Sequence, residues 1–326
     1  MPAFGSGAKL SITHQTSMGA TSPSSWRSIP FASHDLSYDV ADLVDDSIVG
    51  NPDEPDRVSG ISGIGGGFQA NIHPLALGYY LYGLCGAASV AAAGAAYKHT
   101  FRPSSGNFGD KNTVPPFAIQ VNAGETGVSS SYLLQDCFFN TGELSITAGA
   151  YLRGTWGLIG KSGTLLTTAA PYDWPSAVKP LTWSACSVSI AGAAVQRYHD
   201  LKITLNNNLA AQDRIDGTTQ HTFFFREGFR QNRFAGTVDL AQADWLKMKN
   251  ETEGALVITC GGASAISSGY NEFLEISMPR FVFTKVPINI SGTGVVTVAV
   301  EGRGMYLSTS LCSVQFTLQN TVASYP

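Results

Sequence analysis

Apolar and polar residues alternate with a period of two through most of this 326-residue chain, and Gly, Asn, Asp or Pro break the pattern at short intervals. That rhythm constrains the fold most. A strand sends successive side chains to opposite faces, whereas a helix needs a 3.6-residue repeat. Clear cases are His199-Asp-Leu-Lys-Ile-Thr-Leu205, Gly294-Val-Val-Thr-Val-Ala-Val300 and Leu311-Cys-Ser-Val-Gln-Phe-Thr-Leu318. Only two segments read as helix. The first opens at Pro74, a favoured first helical position, carries Leu77, Leu81 and Leu84, and stops at Gly86. The second has Asp239 three residues before Gln242, the spacing of a capping box, then Ala241, Trp245 and Met248 on one face, and ends before Gly254. The first is apolar on every side and is expected to be the more deeply buried. The fold class is mainly β with two helices.

Composition narrows the functional classes. Charged residues make up 13% of the chain, about half the usual quarter. With 17 Phe, 12 Tyr and 5 Trp the chain is not a solvated, disordered one. A lone soluble monomer normally carries more surface charge than this. Net charge is −4 and Lys and Arg do not cluster, which argues against a sequence-reading nucleic-acid binder. Cys85, Cys137, Cys186, Cys260 and Cys312 are widely spaced and form no CxxC pair, so they are expected to be small buried hydrophobes in a protein made in a reducing cytoplasm. Residues 1–25 lack the basic and apolar regions of a signal peptide and read as a Gly/Ser/Thr-rich arm. The apolar stretch from Leu75 to Ala96 is broken by Gly78, Gly83, Gly86 and Gly94 and makes a poor membrane span, so no membrane partner is expected.

An internal repeat is the next signal. His34-Asp35-Leu36 and His199-Asp200-Leu201 each open a strand, 165 residues apart. Each is followed by a polar loop with Asp-Arg before Gly, then a strand with a central Phe (Phe68 and Phe234), then a helix, then further strands. The predicted organisation is an N-terminal arm over 1–30, a first repeat over 31–160, a linker and connecting strand over 161–195, and a second repeat over 196–326. The equivalent positions are expected to share a structural role.

Catalytic motifs fail on inspection. Gly157-Leu-Ile-Gly-Lys-Ser162 lacks the first glycine of a phosphate loop and leads into β-branched residues rather than a helix. Gly63-Ile-Gly-Gly-Gly-Phe68 has Phe where a dinucleotide site needs its third glycine. No nucleophile elbow and no His-Glu-x-x-His is present, and no two histidines are close enough in sequence for a local metal pair. The expectation is a protein without catalytic, metal or cofactor sites. Asp42, Asp45, Asp46, Asp53, Glu54 and Asp56, closed by Arg57, form the main charge cluster. It lacks the spacing of a calcium loop and reads as a solvated loop or a contact between subunits.

These segments carry a resemblance. Trp26-Arg-Ser-Ile-Pro-Phe31, Pro55-Asp-Arg57, Gly65-Gly-Gly-Phe68 leading into the helix at Pro74, Tyr198-His-Asp-Leu-Lys-Ile-Thr-Leu-Asn-Asn207, Phe234-Ala-Gly-Thr-Val-Asp239 and Ile276-Ser-Met-Pro-Arg280 together resemble the major tail tube protein of long-tailed, siphovirus-type bacteriophages. Met278 stands where that family would have Leu. The resemblance implies a β-sandwich or barrel with flanking helices and a structural, non-enzymatic role in the virion tail. It further implies self-assembly into stacked rings that conduct the genome at ejection, through a lumen that is usually electronegative. Implied partners are copies of the chain itself, a tape measure protein, a tail terminator, distal tail proteins and DNA in transit. The loop Ala41–Ser59 would touch the next ring. Rings in that family are commonly six-fold, so a duplicated chain would assemble as a trimeric pseudo-hexamer, with a hexamer as the alternative. A second reading is a decoration or adhesin protein that binds host-surface carbohydrate through Trp156, Trp174 and Trp183.

Overall fold

The computed structural model describes residues 5–326 apart from 21–24, 49, 51–52, 54–55, 87, 104–113, 125–130, 173, 175–177, 268, 289 and 291–292. The first part of the chain forms β1 (Lys9–His14), β2 (Arg27–Ile29), β3 (Ser33–His34), β4 (Ser37–Val44), β5 (Arg57–Gly65), β6 (Gly67–Asn71), α1 (Pro74–Cys85), β7 (Ala88–Ala93), β8 (Ala96–Phe101), β9 (Phe117–Asn122), β10 (Ser131–Thr147), β11 (Arg153–Ile159) and β12 (Ser162–Leu166). The second part forms β13 (Cys186–Ile190), β14 (Ala193–Ala194), β15 (Tyr198–Asn206), β16 (Leu209–Gln212), β17 (Phe223–Arg226), β18 (Gln231–Asp239), α2 (Gln242–Lys249), β19 (Gly254–Ser267), β20 (Tyr270–Lys285), β21 (Thr297–Gly304) and β22 (Gln315–Asn320). The mainly β reading with two helices holds.

Two long strands organise the sheet, which curls into a barrel. The first half of β10 pairs with β9 and β12, and its second half with β11 and β15. Likewise the first half of β20 pairs with β19 and β22, and its second half with β21. Read across the hydrogen bonds, the strands run β3-β6-β11-β10 and continue as β15-β18-β21-β20, each neighbour antiparallel. The same order thus occurs twice. In each set a hairpin leaves the sheet between the first and second strands: β4–β5 after β3, and β16–β17 after β15.

The core lies on one face of this row. Its largest member is Trp156, fully buried against Tyr80 of α1 with ring centroids 4.8 Å apart. Phe68, Phe139 and Phe234 are also inaccessible to water. As expected, α1 is buried nearly all round, while Asp244 alone is fully buried on α2. Gly86 ends α1 at φ 74°, a left-handed conformation that an L side chain resists, and donates to the Tyr82 carbonyl. The capping box expected at Asp239 does not form. Ala241 occupies the cap of α2, and the Asp239 carboxylate instead meets His199 Nε2 at 2.8 Å. The strand β18 runs to Asp239 and turns this side chain towards β15, away from the helix.

Residues 9–14, in the stretch read as an arm, form β1 and pair along their full length with β9. Leu10 and Ile12 are fully buried there. The cysteine reading needs one correction. Cys85, Cys137 and Cys312 are free and buried, but Cys186 and Cys260 form a disulfide. The β13–β19 register sets these two directly opposite each other, which their 74-residue separation in sequence could not reveal.

Burial of Trp156 gives a clear expectation. Trp156→Ala leaves a ring-sized void under α1 and should cost about 3–5 kcal/mol in urea unfolding. Trp183→Ala, at a residue 45% exposed, should change stability by less than about 1 kcal/mol.

Candidate assembly surface

The polar face of the sheet follows from its register. Thr155, Glu143, Thr204, Arg233 and Arg303 stand in one cross-strand line, and Arg153, Ser145, Lys202, Ala235 and Glu301 in the next. All alternate with core positions such as Trp156, Leu144, Ile203, Phe234 and Val300. Hydroxyl and small side chains dominate. The acids Glu143, Asp200, Asp239 and Glu301 are balanced by Arg153, Lys202, Arg233 and Arg303. Lys202 reaches Glu143 at 2.8 Å, and Lys285 reaches Glu301 at 3.0 Å. Exposed pairs of this kind add little to stability and leave the surface close to neutral.

The predicted acidic loop is mostly hairpin. Its strands β4 and β5 stand away from the core, so that nearly every residue of β4 is exposed on both faces. Leu43 and Val58 face each other across it at 62% and 65% exposure. Arg57 makes a two-pronged ion pair with Asp42 at 2.8 and 2.9 Å, and Ser47 caps Asp45. Asp46, Asp53 and Asp56 lie towards the tip, and Glu54 falls outside the described residues. An exposed hairpin with apolar side chains on both faces is a poor end state for a monomer. Sequence reading found its charge but not its apolar flank.

The second hairpin, β16–β17, behaves differently. Leu209 and Phe224 sink into a small cluster with Phe138, Val114 and Ile159 from the first half of the chain. Ser62 of β5 donates to the Thr219 carbonyl, and His221 covers Gly63. Behind it Asn207 acts as a buried clamp. Its Nδ2 donates to the carbonyls of Leu84 and Phe139, each at 3.0 Å, while Arg226 and Arg230 donate to its oxygens at 2.9 Å. Burial and the neighbouring Arg226 pull the Arg230 pKa down to about 10, so it stays cationic at neutral pH.

The positions matched by the repeat occupy distinct surroundings. Phe68 lies opposite His34, whereas Phe234 lies opposite Ile203, so the strand register aligns His34 with Ile203 rather than with His199. His34 packs beside Phe31, while His199 is exposed on Asp239. The aspartates keep a similar use. Asp35 accepts from Gly67 N–H at 2.6 Å and Asp200 from Thr237 N–H at 3.2 Å, each holding the strand that returns from the hairpin. Leu36 packs against the core and Leu201 lies within it. The aromatic candidates for a glycan cleft are dispersed. Trp156 is core and Trp174 sits edge-on to His73, which leaves Trp183 as the exposed one.

Nothing in this arrangement prepares a reactive group. Burial pushes the Cys85 thiol up to about 12 and holds the His14, His73 and His99 rings below their ordinary pKa, so each stays neutral. Among the described residues no three metal-ligating side chains come together, and no helix is long and apolar enough to cross a membrane.

Comparison with protein families matches residues 5–304 to the phage tail tube protein family. The chain belongs to that family. None of the curated proteins compared matches it. Family membership makes this a structural protein of the bacteriophage virion, and the β-rich tail tube architecture accords with the curled antiparallel sheet described above.

For a tail tube protein, residues that hold the subunit must be separated from those that meet other subunits. Arg197 bonds the buried Asp244 carboxylate at 2.9 Å and the Asp239 carbonyl at 2.6 Å. Arg197→Ala strands that carboxylate and should cost about 1–3 kcal/mol in denaturant unfolding. Asp42→Ala breaks only an exposed pair and should cost less than about 1 kcal/mol.

Proposed function

We propose that three copies of this chain close side by side into a ring, that rings stack into the tail tube, and that the genome passes through the lumen during ejection. One observation carries the reading: the strand order β3-β6-β11-β10 recurs as β15-β18-β21-β20, with the two sets joined by pairing of β10 to β15. We take the two sets as a duplicated tube fold over residues 31–160 and 196–326. The ends of the row match this scheme. Among the described residues β3 pairs with β6 alone, and residues 282–285 of β20 pair with β21 alone. An unpaired edge is a template for another strand. Joining β20 of one copy to β3 of the next would repeat the β10–β15 junction between chains, so three chains supply six tube folds.

The polar, charge-balanced face of the sheet then lines the lumen, since α1 and the core cover the other face. DNA is held by clustered cations that release counterions, and a wall whose lysines are already paired with carboxylates offers no such cluster. The acidic hairpin tip, from Asp45 to Asp56, reaches beyond the body towards the adjacent ring. Ends of the tube would meet a terminator and distal tail proteins, and its lumen a tape measure protein, as in long-tailed phages.

Electron microscopy of purified protein tests the scheme. Uniform tubes with three chains per ring are expected. Rings of six chains would refute the trimer, and a persistent monomer with affinity for glycans would favour the adhesin reading.

A further inference from the structure

The two halves differ at one matched pair of positions, and the difference exposes charge. Aligning Phe68 with Phe234 aligns their partners Trp156 and Gly302. One step along, Gly67 opposite Gly157 in the first half corresponds to Arg233 opposite Arg303 in the second. Like charges directly opposite on neighbouring strands repel. Arg233 bonds only the neutral Gln231 amide, and among the described residues neither arginine has a carboxylate partner. They border an open cleft of about 1270 Å³ whose charged lining also includes Arg226, Arg230, Glu227 and Glu301, a net excess of two positive charges. Phe229 and Tyr306 stand exposed at this cleft, at 94% and 50%.

The first half shows what belongs in such a place. Counting on from the aligned pair, Met305 corresponds to Ile159 and Tyr306 to Gly160. Ile159 is covered by the face of hairpin β16–β17 that carries Leu209, Ala211 and Phe224. In the second half no hairpin follows to cover Met305, because the matching one belongs to the start of a chain. That matching hairpin is β4–β5, and the face equivalent to the docked one carries Ser37, Asp39, Asp42 and Ile61. Over residues 37–65 the sequence holds seven carboxylates and one arginine, Arg57.

We infer that the cleft around Arg233, Arg303 and Met305 receives the β4–β5 hairpin of a neighbouring copy of this chain, with Asp39 and Asp42 facing the two arginines and Ile61 facing Met305. The inference rests on the ring reading above and adds a lateral contact within the ring, made by the stem of the hairpin rather than its tip. It accounts for three features together: an uncompensated arginine pair, an acidic hairpin with apolar flanks, and an intrachain hairpin docked at the matched position.

Charge reversal tests it. Arg233→Glu with Arg303→Glu, or Asp39→Arg with Asp42→Arg, should raise the protein concentration needed for tube formation about tenfold or more while leaving the thermal melt of the subunit unchanged. Combining all four changes in one chain should restore tubes. If a reversed chain is unstable, Asp42→Cys with Arg303→Cys gives a second test under mild oxidation. Cross-linking between copies that stops at a closed trimer supports the lateral contact. Tubes from the reversed chains at the wild-type concentration, or a covalent ladder that continues past three chains, would overturn it and leave the ring reading standing. Wild-type protein that never forms rings would overturn both.

Discussion

Backbone hydrogen bonding between β10 and β15 is the interaction on which the rest of this architecture depends. β10 is long enough to serve two packing layers, one through β9 and β12 and the other through β11 and β15. Without β15 along its second half, residues 141–147 would present a bare edge in the middle of the molecule. With it, the aromatic core beneath α1 continues into the second half through Leu201, Ile203 and Phe234. Asn207, just past the end of β15, secures the same junction from the side by bonding the end of α1 and β10 together. A lesion here would separate two stretches of sheet that each lack a complete edge, so its effect should be global rather than local.

Charge is scarce in this chain, and the structure puts what there is to specific use. Arg197 neutralises Asp244 at the start of α2, where a carboxylate also favours the helix dipole. Lys202 and Glu143 neutralise each other across the polar face. The excess is segregated, acidic on the hairpin β4–β5 and basic beside Arg233 and Arg303. Segregation of this kind costs solubility in an isolated subunit and has a physical rationale once complementary surfaces meet.

Much of this was legible in the amino-acid order. Period-two alternation located strands such as β15 and β20, because one face of each is core and the other polar. Pro74 and Gly86 bounded α1 because ring geometry and left-handed backbone are local properties. Long-range register was not legible. The matched His-Asp-Leu triplets suggested that His34 and His199 are equivalents, yet strand pairing sets Ile203 opposite Phe234. Cys186 and Cys260 meet for the same reason, through a register that no local pattern encodes. Asp239 looked like a helix cap because its spacing to Gln242 fits, but tertiary placement on β18 gave its carboxylate to His199. The hairpin announced itself by its acids, while the exposure of Leu43 and Val58 depended on what the rest of the chain left uncovered.

The covalent continuity between the two sets of strands has an entropic consequence. Two separate polypeptides forming the β10–β15 contact would surrender translational and rotational freedom, on the order of 4–15 kcal/mol at standard concentration. A tethered pair surrenders only the freedom of the connecting segment, which grows as the logarithm of its length. The contact therefore forms at any dilution, with a local concentration set by the tether instead of by the number of molecules in the cell.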